Sequence, residues 1–291
     1  MIKSSHSIEQ SSLLLMEDAL YELAPSNWIV IDSHTDDSAK LVGFFDSENE
    51  AIIAQQELEF VLGKDFAKPF KLDQLEDEDW KESYKTHFKA WSRGTIHWVP
   101  EWERESYNVP CGNHALYVDP GMAFGTGNHE TTRLCLESMI SICDKKKVED
   151  CLDVGCGSGI LSLSAHLLGI GSVKGIDFDP DAITVARSNA TLNKMESDVD
   201  YKVSSLEKLD AKDQFDLVLA NIQADVLMQN AETLIQLVRE DGFLVLSGIL
   251  ASEMQLVEDC FVNLLQKKDT KIENYKRNSG EWSLLQLKLN A

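Results

Sequence analysis

From residue 150 onward the chain alternates short apolar runs with longer amphipathic ones, and this rhythm is the strongest constraint on its fold. Strand-like runs stand at "DCLDV", "SVKGID", "DYKVS", "FDLVLANI" and "FLVLSGI". Between them lie the helix-like "ILSLSAHLL", "DAITVARSNATLNK", "DVLMQNAETLIQLVRE" and "SEMQLVEDCFVNLLQKK". Strands joined through crossover helices run parallel, so the pattern predicts a doubly wound α/β sheet. The rhythm breaks at "IENYKR", "NSGE" and "WSLLQLKLN". Two strands joined by so short a turn are antiparallel. The expected sheet therefore has seven strands, with a hairpin at one edge.

The first third reads differently. "SSLLLMEDALYEL" and "ENEAIIAQQELEFVL" have helical apolar spacing, and "NWIVID" and "KLVGFF" are strand-like runs joined by a polar turn. A strand before the first helix and another at "FKLDQL" complete the order β-α-β-β-α-β, a ferredoxin-like α+β pattern. This predicts a small domain over residues 1–72. Residues 73–105 read as a linker, a helix followed by an extended strand. They hold four of the six tryptophans, Trp80, Trp91, Trp98 and Trp102, which are expected to pack between domains. A larger domain over residues 106–291 follows.

Composition narrows the partners. The 291 residues are 43% hydrophobic, enough for two cores, and carry a net charge of −22. Residues 1–110 hold 22 acidic against 10 basic side chains, so the acidity is denser there. A surface of this sign disfavours nucleic acid and membrane as direct partners and suits a basic protein, although acidity also serves plain solubility. The six cysteines form no CxxC pair, which argues against a zinc site or disulfide framework and for buried, reduced thiols in a cytoplasmic protein. No metal site is expected. The first residues show no secretory h-region, and no apolar run approaches the ~20 residues of a membrane helix.

Two glycine-bearing stretches carry the chemistry. In "CLDVGCGSGIL" an apolar strand ends at Val154 and is followed by Gly155, Gly157 and Gly159 before an apolar helix. Such a turn lets a ligand approach the backbone, or simply lets helix and strand pack closely. Asp177 ends the next strand, where a carboxylate can bind both hydroxyls of a ribose, and Asp179 with Pro180 reads as a helix N-cap. A dinucleotide turn needs G-x-G-x-x-G, yet the sixth residue from Gly155 is Ile160. The spacing is instead G-x-G-x-G, with Asp153 two residues ahead of it. That carboxylate would repel a pyrophosphate and suit a ligand bearing an ammonium and a sulfonium. Asn221 lies at the tip of the fourth strand, in "ANIQ", which differs from the N-P-P-Y or D-P-P-Y of base amino-methylating enzymes.

These residues resemble motif I of S-adenosylmethionine-dependent methyltransferases, whose sheet has seven strands and a terminal hairpin. The second stretch, "DPGMAFGTGNHETT" (119–132), is similar to the loop that closes over S-adenosylmethionine in the methyltransferases of large-subunit ribosomal protein L-eleven, the PrmA family. "LSGIL" at 246–250, "GEW" at 280–282 and the small N-terminal domain are also similar to that family. The resemblance covers nearly the whole chain. It is strongest from Asp119 to Leu250 and weakest over residues 1–70, the part that recognises substrate in the family.

The resemblance implies a cytoplasmic, monomeric protein N-methyltransferase with S-adenosyl-L-methionine as cofactor. It implies transfer to the α-amine and lysine ε-amines of ribosomal protein L-eleven, with a recognition domain mobile on its linker. The alternative is a lysine methyltransferase of the same fold acting on a different protein. An NAD-dependent oxidoreductase is disfavoured by the glycine spacing, and a catalytically dead cofactor-binding assembly factor by the intact residue set. Carried across by position, Thr132, Gly155, Asp177 and Asn221 bind the cofactor, and Asn221 also faces the methyl group as the catalytic residue. Gly157, Asp153 and Phe124 complete the cofactor set. Phe124 flanks the adenine or the target amine, or merely supports the loop. His129 has the chemistry of a general base, but the preferred reading is a structural loop histidine, with Glu130 exposed or capping the helix that follows.

Overall fold

The computed structural model describes residues 2–9, 28–32, 38–45, 47–62, 70–74, 89–119, 129–209, 212–268 and 270–290. The chain divides into two compact units, Met1–His87 and Phe88–Ala291.

In the smaller unit, strands β1 (Ile2–Glu9), β2 (Trp28–Asp32), β3 (Ser38–Phe45) and β4 (Lys71–Gln74) form one antiparallel sheet in the order β2-β3-β1-β4. Helix α1 (Glu48–Leu62) starts where the Ser47 hydroxyl accepts the Glu50 N–H at 3.3 Å, a side-chain N-cap. Ile8, Trp28, Leu41, Phe45, Ala51 and Leu58 make its core. The weakly patterned first and last strands are present, and the sheet order is that of the expected ferredoxin-like domain. The first predicted helix, "SSLLLMEDALYEL", lies outside the described residues.

The larger unit opens with a short sheet that the sequence reading did not foresee. β5 (Trp91–Arg93) and β6 (Ile96–Pro100) form a hairpin over Gly94, and β7 (His114–Val118) runs parallel to β6. The strand half of the proposed linker thus belongs to this unit; residues 75–88 lie outside the described residues. Trp91 and Trp98, expected between domains, pack inside the unit instead. Their rings stack at 4.1 Å, and Trp98 Nε1 donates to Ser164 Oγ at 2.8 Å. Trp98 is turned inward, where it is 2% exposed.

The main sheet holds β8 (Asp150–Val154), β9 (Ser172–Asp177), β10 (Val199–Val203), β11 (Phe215–Asn221), β12 (Val238–Leu250), β13 (Lys271–Ser279) and β14 (Trp282–Asn290). Their order is β10-β9-β8-β11-β12-β14-β13. The first five are parallel, and β14 is antiparallel to both neighbours, as the terminal hairpin predicted. Helices α2 (Glu130–Cys143), α3 (Ile160–Leu167) and α4 (Pro180–Leu192) precede or connect strands on one side of the order. Helices α5 (Ala224–Gln229), α6 (Ala231–Gln236) and α7 (Met254–Lys267) connect them on the other. One apolar core includes Leu136, Met139 and Leu163; a second includes Leu227, Leu234 and Phe261. Among the described residues, no helix is long and apolar enough to cross a membrane. Cys135, Cys151 and Cys156 are buried free thiols, as expected, whereas Cys111 is exposed.

One predicted helix is corrected. "DVLMQNAETLIQLVRE" is two short helices that break at Asn230, and Val238–Glu240 already belong to β12. Asn230 ends α5 by donating its side-chain Nδ2 to Val226 O at 2.9 Å. Arg239 disguised the strand start, since an arginine reads as a helix surface. Its guanidinium is matched by Asp150 and Asp216, which open β8 and β11.

β12 also carries a kink that shapes the ligand end of the sheet. Its pairing with β14 shifts between Leu246 and Ile249, where Gly248 has φ +80°. A Cβ at Gly248 would lie 2.3 Å from the Ile222 carbonyl oxygen, in the turn just after β11. Gly248→Ala is therefore expected to destabilise the protein by roughly 2–4 kcal/mol, backbone strain and overpacking combined. The check is a fall in the denaturant midpoint at unchanged m-value.

Candidate cofactor-binding and active site

The site is set by the order of the strands. β8 continues through β9 to β10 in one direction, while β11 continues to β12 in the other. Loops leaving the C-terminal ends of β8 and β11 therefore diverge, and the crevice between them is where open α/β sheets take ligands. Residues sharing a face alternate along a strand. Asp153 pairs with Leu219, so Asp153 and Asn221 point to the same face at adjacent tips.

The turn after β8 is built on three left-handed glycines: Gly155 (φ +67°), Gly157 (φ +52°) and Gly159 (φ +78°). A Cβ at Gly155 would meet Ile222 Cγ2 at 2.4 Å, and one at Gly159 would meet the Tyr201 hydroxyl at 2.4 Å. Gly159 thus serves close packing of helix and sheet, while Gly155 holds the β8 and β11 turns against each other. The Cys156 N–H donates to Ile176 O at 2.9 Å, which ties the turn to β9. At the tip of β9, Asp177 is 7% exposed. Its Oδ2 accepts the Gly157 N–H at 3.0 Å and its Oδ1 accepts the Asp179 N–H at 3.1 Å. Asp179 caps α4 by accepting the Asp181 N–H at 2.9 Å, with Pro180 as the first helical residue, as predicted.

Asp153 is fully buried, and the structure gives it a role the sequence reading missed. Its Oδ2 accepts both the backbone N–H of Ser162, at 3.0 Å, and the Ser162 hydroxyl. It therefore anchors the first turn of α3, whose Gly159 N-cap has no side chain to do so. Burial pushes its carboxyl up to about 7; the Ser162 bonds oppose this in part, and the nearby Asp177 charge adds to it. Its Oδ1 has no hydrogen-bond partner. Asn221, 9% exposed, donates Nδ2 to Thr132 Oγ1 at 3.5 Å and leaves Oδ1 likewise unpartnered. Among the described residues only three buried side-chain atoms are without a partner, and two of them are these. A pair of buried acceptors with no donor is costly unless a ligand supplies one. That arrangement fits a ligand rich in N–H groups and positive charge.

Thr132 is completely buried as the third residue of α2. The α2 helix begins at His129, which has an extended backbone and whose Nδ1 accepts the Thr131 N–H. Thr131 Oγ1 lies 2.8 Å from the same nitrogen, and the ring packs edge-on against Trp282 at 4.9 Å. Desolvation lowers its pKa, with Glu130 opposing. His129 is thus a neutral N-cap, the preferred structural reading. Glu130 is exposed, as expected. Phe124 lies outside the described residues. Sequence reasoning also missed Phe178, 80% exposed beside Asp177, and Val203, 51% exposed opposite Asp177 in the β10–β9 register. The sequence signal for Phe178 is an aromatic out of pattern within "IDFDP"; Val203 has none.

A family model described as ribosomal protein L11 methyltransferase (PrmA) matches residues 3–290. The ribosomal protein L11 methyltransferase of Pelobacter propionicus is 44% identical over 213 residues, 72% of this chain and 66% of that protein. The match thus spans just under two thirds of that relative's length. The corresponding protein of Geotalea daltonii is 35% identical over 297 residues, 97% of this chain and 87% of that protein. The crystal structure of ribosomal protein L11 methylase from Lactobacillus delbrueckii subsp. bulgaricus superposes with a TM-score of 0.60 at 32% identity, covering 70% of this chain and all of the other. With the family model matched from one end to the other, the chain belongs to the ribosomal protein L11 methyltransferase (PrmA) family.

Proposed function

We propose that this protein transfers methyl groups from S-adenosyl-L-methionine to amines of ribosomal protein L11. The observation that carries the reading is the pair of unpartnered buried acceptors, Asp153 Oδ1 and Asn221 Oδ1, beside the glycine turn. When bound, S-adenosylmethionine supplies an electrophilic methyl on a cationic sulfonium, together with an ammonium group. The glycine turn at Gly155 and Gly157 holds its amino-acid end, with Asp153 as counter-charge. Asp177 would take the ribose hydroxyls, and Thr132 would stand on the other side. Phe178 and Val203 add an apolar surface next to the ribose position.

The protein's chemical task is to present a neutral amine. A free lysine has a pKa of about 10.4 and an α-amine about 8, and only the deprotonated form has a lone pair. A water-poor site disfavours the ammonium form. Asn221 Oδ1 accepts a hydrogen bond from the amine N–H and so aims the lone pair, with Nδ2 turned towards Thr132 Oγ1. His129 Nδ1 is occupied as a cap, so that nitrogen is not the base for this step. The unit Met1–His87 acts as the substrate-recognition part. Its helix α1 carries Glu48, Glu50, Glu57 and Glu59 with no basic residue, and exposes Ile52 and Ile53, a surface suited to a lysine-rich partner. The protein works as a monomer in the cytoplasm.

The direct test is the intact mass of ribosomal protein L11 after incubation with enzyme and S-adenosylmethionine. Additions in whole methyl groups are expected. No addition, with cofactor bound, would move the activity to another protein. Asn221→Ala should slow transfer about a hundredfold, in line with losing an orienting contact, while changing cofactor Kd by less than about threefold. Equal loss of both would refute its orienting role.

Asp153 predicts a pH signature. Its raised folded-state pKa means that its stabilising contribution is present in acid and is lost as pH rises through about 7. The stability of the free protein relative to Asp153→Asn should therefore fall from pH 6 to pH 8. A bound cation favours the carboxylate, so cofactor binding near pH 6.5 should release a proton. Calorimetry in two buffers of different ionisation heat measures this, and Asp153→Asn should abolish it.

A further inference from the structure

Helix α4 carries Asn189 and is capped at its C-terminus by Asn193, one turn on, in the run "SNATLNK". Asn193 Oδ1 accepts the Tyr117 N–H at 2.8 Å, and its Nδ2 donates to Tyr117 O at 2.6 Å. Asn189 repeats the pattern two strand residues further on. Its Oδ1 accepts the Asp119 N–H at 2.9 Å, and its Nδ2 donates to Asp119 O at 3.2 Å. Four helical residues rise about 6 Å and two strand residues about 6.6 Å, so the two carboxamides match the spacing of a neighbouring strand. They pair the edge of β7 that β6 leaves open.

The two differ in one bond. The second Nδ2 hydrogen of Asn193 goes to its own helix, at Asn189 O. That of Asn189 goes to Ser158 O at 3.0 Å, between the left-handed Gly157 and Gly159 of the glycine turn. Asn189 is 1% exposed and both its hydrogens and its oxygen are engaged. A single rigid amide thus ties the glycine turn to Asp119, where "DPGMAFGTGNHETT" leaves β7. The turn carries Gly155 and Gly157, and Asp119 is remote from it in sequence.

We infer that Asn189 is a positioning residue for cofactor binding: it sets the glycine turn in register with the root of the 119–132 stretch without touching the ligand. The inference rests on the proposed seat of S-adenosylmethionine at the glycine turn. It separates Asn189 from Asn193, which anchors the same strand but not the turn.

The test measures S-adenosylmethionine affinity by calorimetry, thermal midpoint and methylation rate for the full chain and its variants. Asn189→Ala should raise the cofactor Kd about tenfold and leave kcat at saturating cofactor within about twofold of wild type. Asn193→Ala should lower the thermal midpoint comparably but raise Kd less than about twofold. Asn189→Asp keeps the acceptor for the Asp119 N–H and loses both donors, so it should share the affinity defect, and it decides the matter if Asn189→Ala does not fold. An unchanged Kd in the Asn189 variants, or an equal rise in Asn193→Ala, overturns the inference. Gly155→Val guards the underlying reading: if the wild type binds cofactor and this variant binds equally well, the proposed seat itself is wrong, whatever Asn189 does.

Discussion

Everything at the ligand end of this protein depends on the reversal of strand order between β8 and β11. Crossover connections in a parallel sheet are right-handed, so a chain that builds first outward through β9 and β10 and then returns must leave two loops that part at the C-terminal edge. No side chain creates that crevice. It follows from chirality and connectivity, and the side chains only line it. The hairpin of β13 and β14 closes the far edge and lets Trp282 reach back to His129 at the start of α2.

The crevice is lined by polar groups whose burial costs the fold free energy. Asp153 is a carboxylate with no exposure, and Asn221 turns an unpartnered oxygen into the same face. Buried polar atoms without partners are tolerated only where the surrounding structure over-determines them. Here that surrounding structure comprises two apolar cores, one on each face of the sheet. Asp153 lessens the conflict by serving two ends at once. One oxygen anchors α3 through Ser162, and the other faces the site. One oxygen meets a structural need, and under the proposed function the other is the counter-charge for a cationic ligand.

Much of this was legible in the sequence because it is local. Alternating apolar periods placed all seven strands of the main sheet. Glycine spacing marked the turn, and Asp179-Pro180 announced a helix start that depends only on neighbouring residues. Even the weakly patterned first and last strands of the small unit followed from the order of the elements around them. Failures arose where a distant partner changed a residue's meaning. Arg239 reads as helix surface until Asp150 and Asp216 are beside it. Trp98 reads as a linker aromatic until its indole is beside Ser164.

The sequence by itself determined the fold class, the place of the glycine turn and the residue types at the strand tips, since each is encoded by periods and spacings of a few residues. The tertiary structure alone decided what those residues do. It turns Asn221 Nδ2 towards Thr132 and divides Asp153 between helix and site. It also ties Ser158 to Asp119 through Asn189. These contacts join positions 31 to 89 residues apart, or, for Asp153 and Ser162, opposite ends of a turn that only the folded backbone closes. Hydrogen bonds of a few ångströms between such positions exist only once the sheet has brought them together, and no pattern along the chain records them.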